Sequence, residues 1–258
     1  MKTMELKKIE HTVKIGDVCG DIEPNIIEDS LFVDKGEVIG FYLKEIPKSL
    51  SKFIEVANAE FQSERVPKST MNRTSGEQGH TERVQQFSTI LGGVPPRPHM
   101  KRPYPSISSV HQVKSAQTFI KAMLLAARES EKIIQELTPN IYARQKQIIT
   151  EKVPPKFRFG ELFTSSISNF NIAASYHRDA ANLEGCVNVI IAKKHNARGG
   201  NTTVPDYGAT MDSRDNSMLV YPAWRNVHGV TPIRPTAEGG YRNSLVFYPL
   251  KAFNNFWD

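Results

Sequence analysis

The last hundred residues restrict the architecture most. Segments 161–171, 186–192, 201–204, 216–221 and 244–248 are short, rich in β-branched or aromatic residues, and separated by turn residues. Strands so closely spaced predict an all-β half, a jelly roll (double-stranded β-helix) whose two sheets close on each other. Such a fold brings residues far apart in sequence to one lip of the cavity between its sheets.

The first half reads differently. Asp34-Lys35-Gly36 punctuates two apolar runs and predicts a turn between strands, the second run being 37–43. Leu50, Phe53, Ile54, Ala57 and Phe61 recur at helical spacing, predicting a helix over 50–62 with Ser49 as its N-cap. From Ser115 to Ile149 a stripe including Phe119, Met123, Ala126, Ile133 and Ile134 predicts a buried helix, with a second restarting at Thr138-Pro139. Residues 63–112 carry frequent Ser, Thr, Gly and Pro and read as a long, mostly irregular loop. The expectation is one α+β catalytic domain over 1–258. Its 1–155 part supplies helical and loop support to the double-stranded β-helix of 156–258.

Charge is concentrated within that first half. The formal net charge is +6, yet Arg83, Arg97, Lys101, Arg102, Lys114, Lys121 and Arg128 fall in a stretch with no Asp or Glu. That is the electrostatic footprint of a polyanion binder, or else a solvated surface. Phe87 and Tyr104 are interleaved with it, placed to stack on bases or to anchor the loop. The two cysteines, Cys19 and Cys186, make no zinc-type spacing and suggest a reducing, intracellular setting. The N-terminus lacks the apolar core of a signal peptide, and no apolar run has membrane-spanning length. A monomer is expected.

The chemistry-bearing residues lie in the β-rich half. His177 and Asp179, two apart at the end of the 161–171 strand and its loop, can turn toward one point. Alone the pair is a weak motif, and a hydrogen-bonded loop histidine is its ordinary explanation. His228 follows at an expected strand start, and a jelly roll can return it beside the pair. Two imidazoles and one carboxylate hold non-haem Fe(II) on one face and leave three positions open. Arg242 and Ser244 share one face of a strand, where a guanidinium fork and a hydroxyl form a receptor for a carboxylate. His80, His99, His111 and His195 read as surface or polyanion-contact residues.

Four runs carry a family resemblance. They are His177-Arg178-Asp179-Ala180-Ala181-Asn182, Gly199-Gly200-Asn201-Thr202-Thr203-Val204-Pro205-Asp206-Tyr207-Gly208, His228-Gly229-Val230, and Arg242-Asn243-Ser244-Leu245-Val246-Phe247-Tyr248. Together they resemble the Fe(II)/2-oxoglutarate dioxygenases that oxidise pyrimidine bases in DNA. These are the ten-eleven translocation methylcytosine oxygenases and the base J-binding thymine oxygenases, and the compact chain is most similar to their small viral and microbial members.

The resemblance implies Fe(II), with 2-oxoglutarate and O2 as co-substrates, and DNA carrying an extruded base as partner. His177, Asp179 and His228 would be the catalytic iron ligands. Arg242 and Ser244, with Asn169 nearby, would bind 2-oxoglutarate. Asn182 would face the base, while Arg97, Lys101 and Arg102 would grip phosphates. The implied reaction is hydroxylation of 5-methylcytosine to 5-hydroxymethylcytosine. Thymine in DNA is the alternative, as is a substrate other than nucleic acid, and a silent nucleic-acid-binding jelly roll is a third reading. One departure bears on the base: methylcytosine enzymes carry a base-contacting His two places after the final Tyr of the last run, and here that position is Leu250.

Overall fold

In chain order the strands of this computed structural model, which describes residues 1–70 and 85–256, begin with β1 (Lys2–Glu5), β2 (Ser30–Asp34) and β3 (Glu37–Leu43). Helix α1 (Lys48–Gln62) precedes β4 (Ser69–Thr70), β5 (Phe87–Val94) and β6 (Ser106–Ile107). Helices α2 (Gln117–Leu137) and α3 (Pro139–Lys152) complete the first half. The second half holds β7 (Ser165–Phe170), β8 (Ala174–His177), β9 (Asn188–His195), β10 (Ala197–Gly199), β11 (Thr202–Val204) and β12 (Ala209–Met211). It ends with β13 (Met218–Tyr221), β14 (His228–Val230), β15 (Ile233–Pro235) and β16 (Tyr241–Tyr248).

Two sheets face each other. The major sheet runs β1-β2-β3-β13-β9-β16-β7-β5-β4 with β6 beside β5, and is antiparallel apart from the β1–β2 pair. The minor sheet runs β12-β11-β14-β8. Side-chain alternation decides what each face of the major sheet does. On β16, Leu245 and Phe247 enter the hydrophobic core, while Arg242, Ser244 and Val246 face a cleft between the sheets. On β9, Val189 and Ile191 point to the core, Asn188 and Ile190 to the cleft.

The helices cover the core face, as their periodicity requires. Leu50, Ile54, Ala57 and Phe61 of α1 pack with Phe119, Met123, Ala126 and Ile134 of α2 in one cluster with the strand residues. The chain breaks between α2 and α3 at Thr138, whose hydroxyl donates to the Ile134 carbonyl, and Pro139 opens α3 where its missing N–H costs nothing. The Asp34-Lys35-Gly36 turn forms as expected: Lys35 and Gly36 both have positive φ, closing the β2–β3 hairpin.

Several expectations need correction. Segment 63–112 is not one long loop, since β5 lies inside the major sheet, paired with β7. Phe87 starts β5, is buried, and stacks on Phe170 at 4.4 Å between ring centroids, so it anchors the core and is closed to bases. His111 is no polyanion contact, because its Nε2 accepts the Gly92 N–H. Helix α1 begins one residue before Ser49, after Pro47. The 161–171 strand is β7, and His177 stands on the separate strand β8, beyond a turn at Asn171 with positive φ. His80 and Arg83 lie outside the described residues.

Candidate active site

His177 and His228 meet because β8 and β14 pair antiparallel with these two residues directly opposite. A register irregularity follows on β14, between His228 and Val230. The ring centroids are 4.3 Å apart. Each ring is oriented from behind: His177 Nδ1 lies 2.8 Å from the Ser175 carbonyl, His228 Nδ1 3.0 Å from that of Asn226. A carbonyl only accepts, so each Nδ1 donates there, and a metal would be held through the two Nε2 atoms. Asp179 closes the set. Its Oδ1 lies 3.3 Å from His177 Nε2 and 3.7 Å from His228 Nε2, and one donor atom from each residue falls within 4.8 Å of the others.

The electrostatics suit ligation. His228 is pushed down to about 4, first by burial and then by His177, against the attraction of Asp179, so it is neutral at physiological pH as a ligand must be. Burial alone would raise the Asp179 carboxyl. Where the imidazoles are protonated, a hydrogen bond from His177 and the charges of His228 and His177, with a hydrogen bond from Asn188, outweigh it and hold the carboxyl below its ordinary value. Tyr221 packs edge-on against His228 at 5.2 Å.

The cleft holds about 980 Å³. Ile90, Ile167, Ile190 and Val246 of the major sheet give it an apolar wall. Deeper in stands Arg242, 2% exposed, whose guanidinium Nε donates to Ser213 Oγ at 3.2 Å. Among the described residues no carboxylate pairs with it. Burial lowers it to about 10, which still leaves it charged. Gly200 packs onto its stem, and a Cβ there would sit 2.9 Å from Arg242 Cδ. A buried cation without a counter-ion is costly, and an incoming carboxylate would offset that cost. Ser244 is beside it, opposite Asn169 on β7, whose amide donates to Ser244 Oγ at 3.4 Å.

The structure therefore brings His177, Asp179, His228, Arg242, Ser244, Asn169 and Asn182 to one cleft. Asn182 is buried next to Leu250, with which it forms an isolated bridge. Arg97, Lys101 and Arg102 do not line the cleft. Arg97 and Arg102 exchange backbone hydrogen bonds of 2.6 and 3.1 Å, closing a tight hairpin whose tip, Pro98 to Lys101, is exposed. The hairpin follows the end of β5, whose Gly92 pairs with Ser165, itself the partner of the cleft residue Tyr248. Tyr104 beside it is 72% exposed. Sequence reasoning passed over Asn188 and Gly200. A polar residue between Val187 and Val189 in an apolar strand was the available signal for Asn188.

What this cleft can accommodate decides the class. A metal with open positions at one end and a dicarboxylate anchored at the other are the needs of an Fe(II)/2-oxoglutarate oxygenase. A family signature settles membership: the oxygenase domain of the 2OGFeDO superfamily, Tet/JBP type, matches residues 97–251, and the chain belongs to that family. The protein is thus an oxidoreductase of the dioxygenase kind, in a superfamily that uses Fe(II), 2-oxoglutarate and O2.

Solved structures agree on the fold. NgTET1 in complex with 5mC DNA matches with TM-score 0.57 at 14% identity, over 88% of this chain and 78% of that one. A 2OG-Fe(II) oxygenase family oxidoreductase from Burkholderia pseudomallei matches with TM-score 0.50 at 14% identity, over 83% and 86%. No curated protein sequence matches the chain. Among the described residues no helix is long and apolar enough to cross a membrane.

Proposed function

We propose that the protein hydroxylates the methyl group of 5-methylcytosine in DNA, giving 5-hydroxymethylcytosine. His177, Asp179 and His228 would hold Fe(II). Arg242 would bind the distal carboxylate of 2-oxoglutarate, with Ser244 and Asn169 alongside, a charge-assisted contact worth about 1.5–3 kcal/mol. When bound, Fe(II) and 2-oxoglutarate would supply O2 activation, one oxygen atom entering the methyl C–H bond to give the alcohol and the other entering succinate as carbon dioxide is lost. The apolar wall of Ile90, Ile167, Ile190 and Val246 limits water around that chemistry.

The choice of base rests on Asn182. Its Nδ2 donates to Asn188 Oδ1 at 2.8 Å, and Asn188 Nδ2 donates to Asp179 Oδ2 at 2.8 Å. An ionised carboxylate only accepts, so the order of donors and acceptors is fixed along the chain of amides. Asn182 Oδ1 is left without a partner among the described residues, at the cleft. A carbonyl oxygen there accepts from the exocyclic amino group of cytosine, while thymine offers a carbonyl at that position. Leu250 supplies apolar contact in place of a second hydrogen bond.

A base inside a duplex cannot reach this cleft and must be extruded, at a cost of a few kcal/mol. The Arg97–Arg102 hairpin, and exposed Arg178 on the cleft lip, would hold the backbone meanwhile. The fold shared with NgTET1, solved on 5mC DNA, supports the same reading.

Mass spectrometry of nucleosides tests it. Methylated DNA incubated with the protein, Fe(II) and 2-oxoglutarate should yield 5-hydroxymethylcytosine, and His177→Ala or Asp179→Ala should abolish it. Oxidised thymine with unchanged 5-methylcytosine would reassign the base. Turnover of free nucleosides but not of DNA would remove DNA as substrate.

A further inference from the structure

We propose that Asn188 is a positioning residue that makes Asp179 a one-oxygen ligand and, through the same amide, aims Asn182 at the substrate. The proposal rests on the reading of His177, Asp179 and His228 as metal ligands.

Asn188 opens β9 and is 3% exposed. Its side chain makes two hydrogen bonds, both to side chains of the cleft: it donates to Asp179 Oδ2 and accepts from Asn182, each at 2.8 Å. Gln145 shows what a purely structural buried amide looks like in this protein. It is fully buried and bonds only main chain, donating to the Leu162 and Val187 carbonyls and accepting the Val187 N–H. Gln145 thus anchors the start of β9 without help from the Asn188 side chain.

The Asp179 loop is likewise tied by its backbone. Asp179 N–H donates to the Ala223 carbonyl, Asn182 N–H to that of Asp179, and Leu183 N–H to that of Pro249. Deleting the Asn188 amide therefore leaves the main-chain frame but releases the Asn182 amide and, with it, the rotation of the Asp179 carboxylate.

That rotation matters chemically. With Oδ2 held by Asn188, only Oδ1 faces the two histidine Nε2 atoms. A carboxylate free to turn could present both oxygens to a metal and fill a position that the co-substrate or O2 requires. Partners behind a ligand commonly change metal affinity or activity by about 10–100-fold when removed. The second consequence follows from the amide's own polarity. Because Asn188 Nδ2 is committed to Asp179, its Oδ1 can only accept, and this turns Asn182 Oδ1 toward the cleft.

Co(II) is a suitable probe because its visible bands report coordination without turnover. In the full chain, Asn188→Leu, which keeps shape and removes both hydrogen bonds, should bind Co(II) about 10–100-fold more weakly. Its bands should shift, its affinity for 2-oxoglutarate should fall, and its far-UV circular dichroism should stay unchanged. Asn182→Leu should retain the Co(II) affinity and bands of the wild type, because the Asn188–Asp179 bond survives in it. Unchanged Co(II) affinity and bands in Asn188→Leu would overturn the proposal, as would equal losses in the two variants.

Asp179→Ala separates this from failure of the metal reading itself: Co(II) binding that survives there sinks the ligand assignment. Should Asn188→Leu not fold, side-chain amide exchange in the Zn(II)-loaded wild type decides instead. A slowly exchanging Asn188 amide proton supports the bond to Asp179, and exchange as fast as that of exposed asparagines overturns it.

Discussion

Glu131 is the buried acid with the clearest energetic signature. It sits on α2, 5% exposed, and its Oε1 accepts the Glu161 and Leu162 N–H groups at 2.7 and 2.9 Å. Burial pushes its carboxyl up to about 7, against the help of those two bonds. Between its ordinary value of 4.5 and 7 the folded state binds a proton that the unfolded chain does not. Stability from this group is therefore full below about pH 4.5 and lost as pH rises to 7, by about 3 kcal/mol. Glu131→Gln should flatten the melting temperature over that window relative to wild type and raise it above pH 7. A difference between the two proteins that does not change from pH 5 to 8 would refute this. Gly200 gives the matching functional prediction. Its φ of +70° and its contact with Arg242 make Gly200→Ala both strained and obstructive. The KM for 2-oxoglutarate should rise about tenfold, the loss of roughly half a charge-assisted bond, with a smaller effect on kcat. Steady-state succinate assays at varied 2-oxoglutarate measure it.

At the scale of elements, legibility depended on whether a pattern was local. The helices were legible because their stripes are complete within one window, and so was the β2–β3 turn, whose Lys-Gly pair takes positive φ. Strand β5 was not: Phe87, Gly92 and Gly93 resemble loop chemistry until β7 supplies the partner and Phe170 the stacking face. Arg242 and Ser244 were legible as a pair because period two put them on one face. That no carboxylate among the described residues pairs with Arg242 could not be read from the sequence, since it depends on what the other sheet places nearby. Asn188 stayed hidden for the same reason: its two partners come from a loop that only folding brings over β9. The Arg97–Arg102 hairpin is the element whose role in binding can be isolated. Its cations project from a main chain fixed by its own two hydrogen bonds, so replacing Arg97, Lys101 and Arg102 together by Ala should not alter the fold. DNA affinity should fall for every sequence alike. The slope of log affinity against log salt should shrink by about 0.9 for each duplex phosphate that is no longer neutralised. Fluorescence anisotropy over a salt series reads both. An unchanged slope would return these residues to the status of solvated surface.

Across the whole molecule, the candidate metal site connects the two sheets. His177 and His228 belong to the minor sheet, while Asp179 is tied through Asn188 to β9 of the major sheet. A metal held by all three would bridge layers that otherwise meet across an open cleft, and its binding free energy would add to the stability of the folded state. Mn(II) is the appropriate test ion, since it favours the same oxygen and nitrogen donors without consuming co-substrate. At about one hundred times its dissociation constant it should add about 2.7 kcal/mol. For a chain of this size that corresponds to a rise of roughly 5–10 °C in melting temperature. A chelator should reverse the rise, and Asp179→Ala should show almost none of it. Hydrogen exchange would locate the effect: protection should increase at β8, at β14 and at the start of β9 together. Protection confined to the minor sheet would mean that the metal, if bound, does not join the two layers.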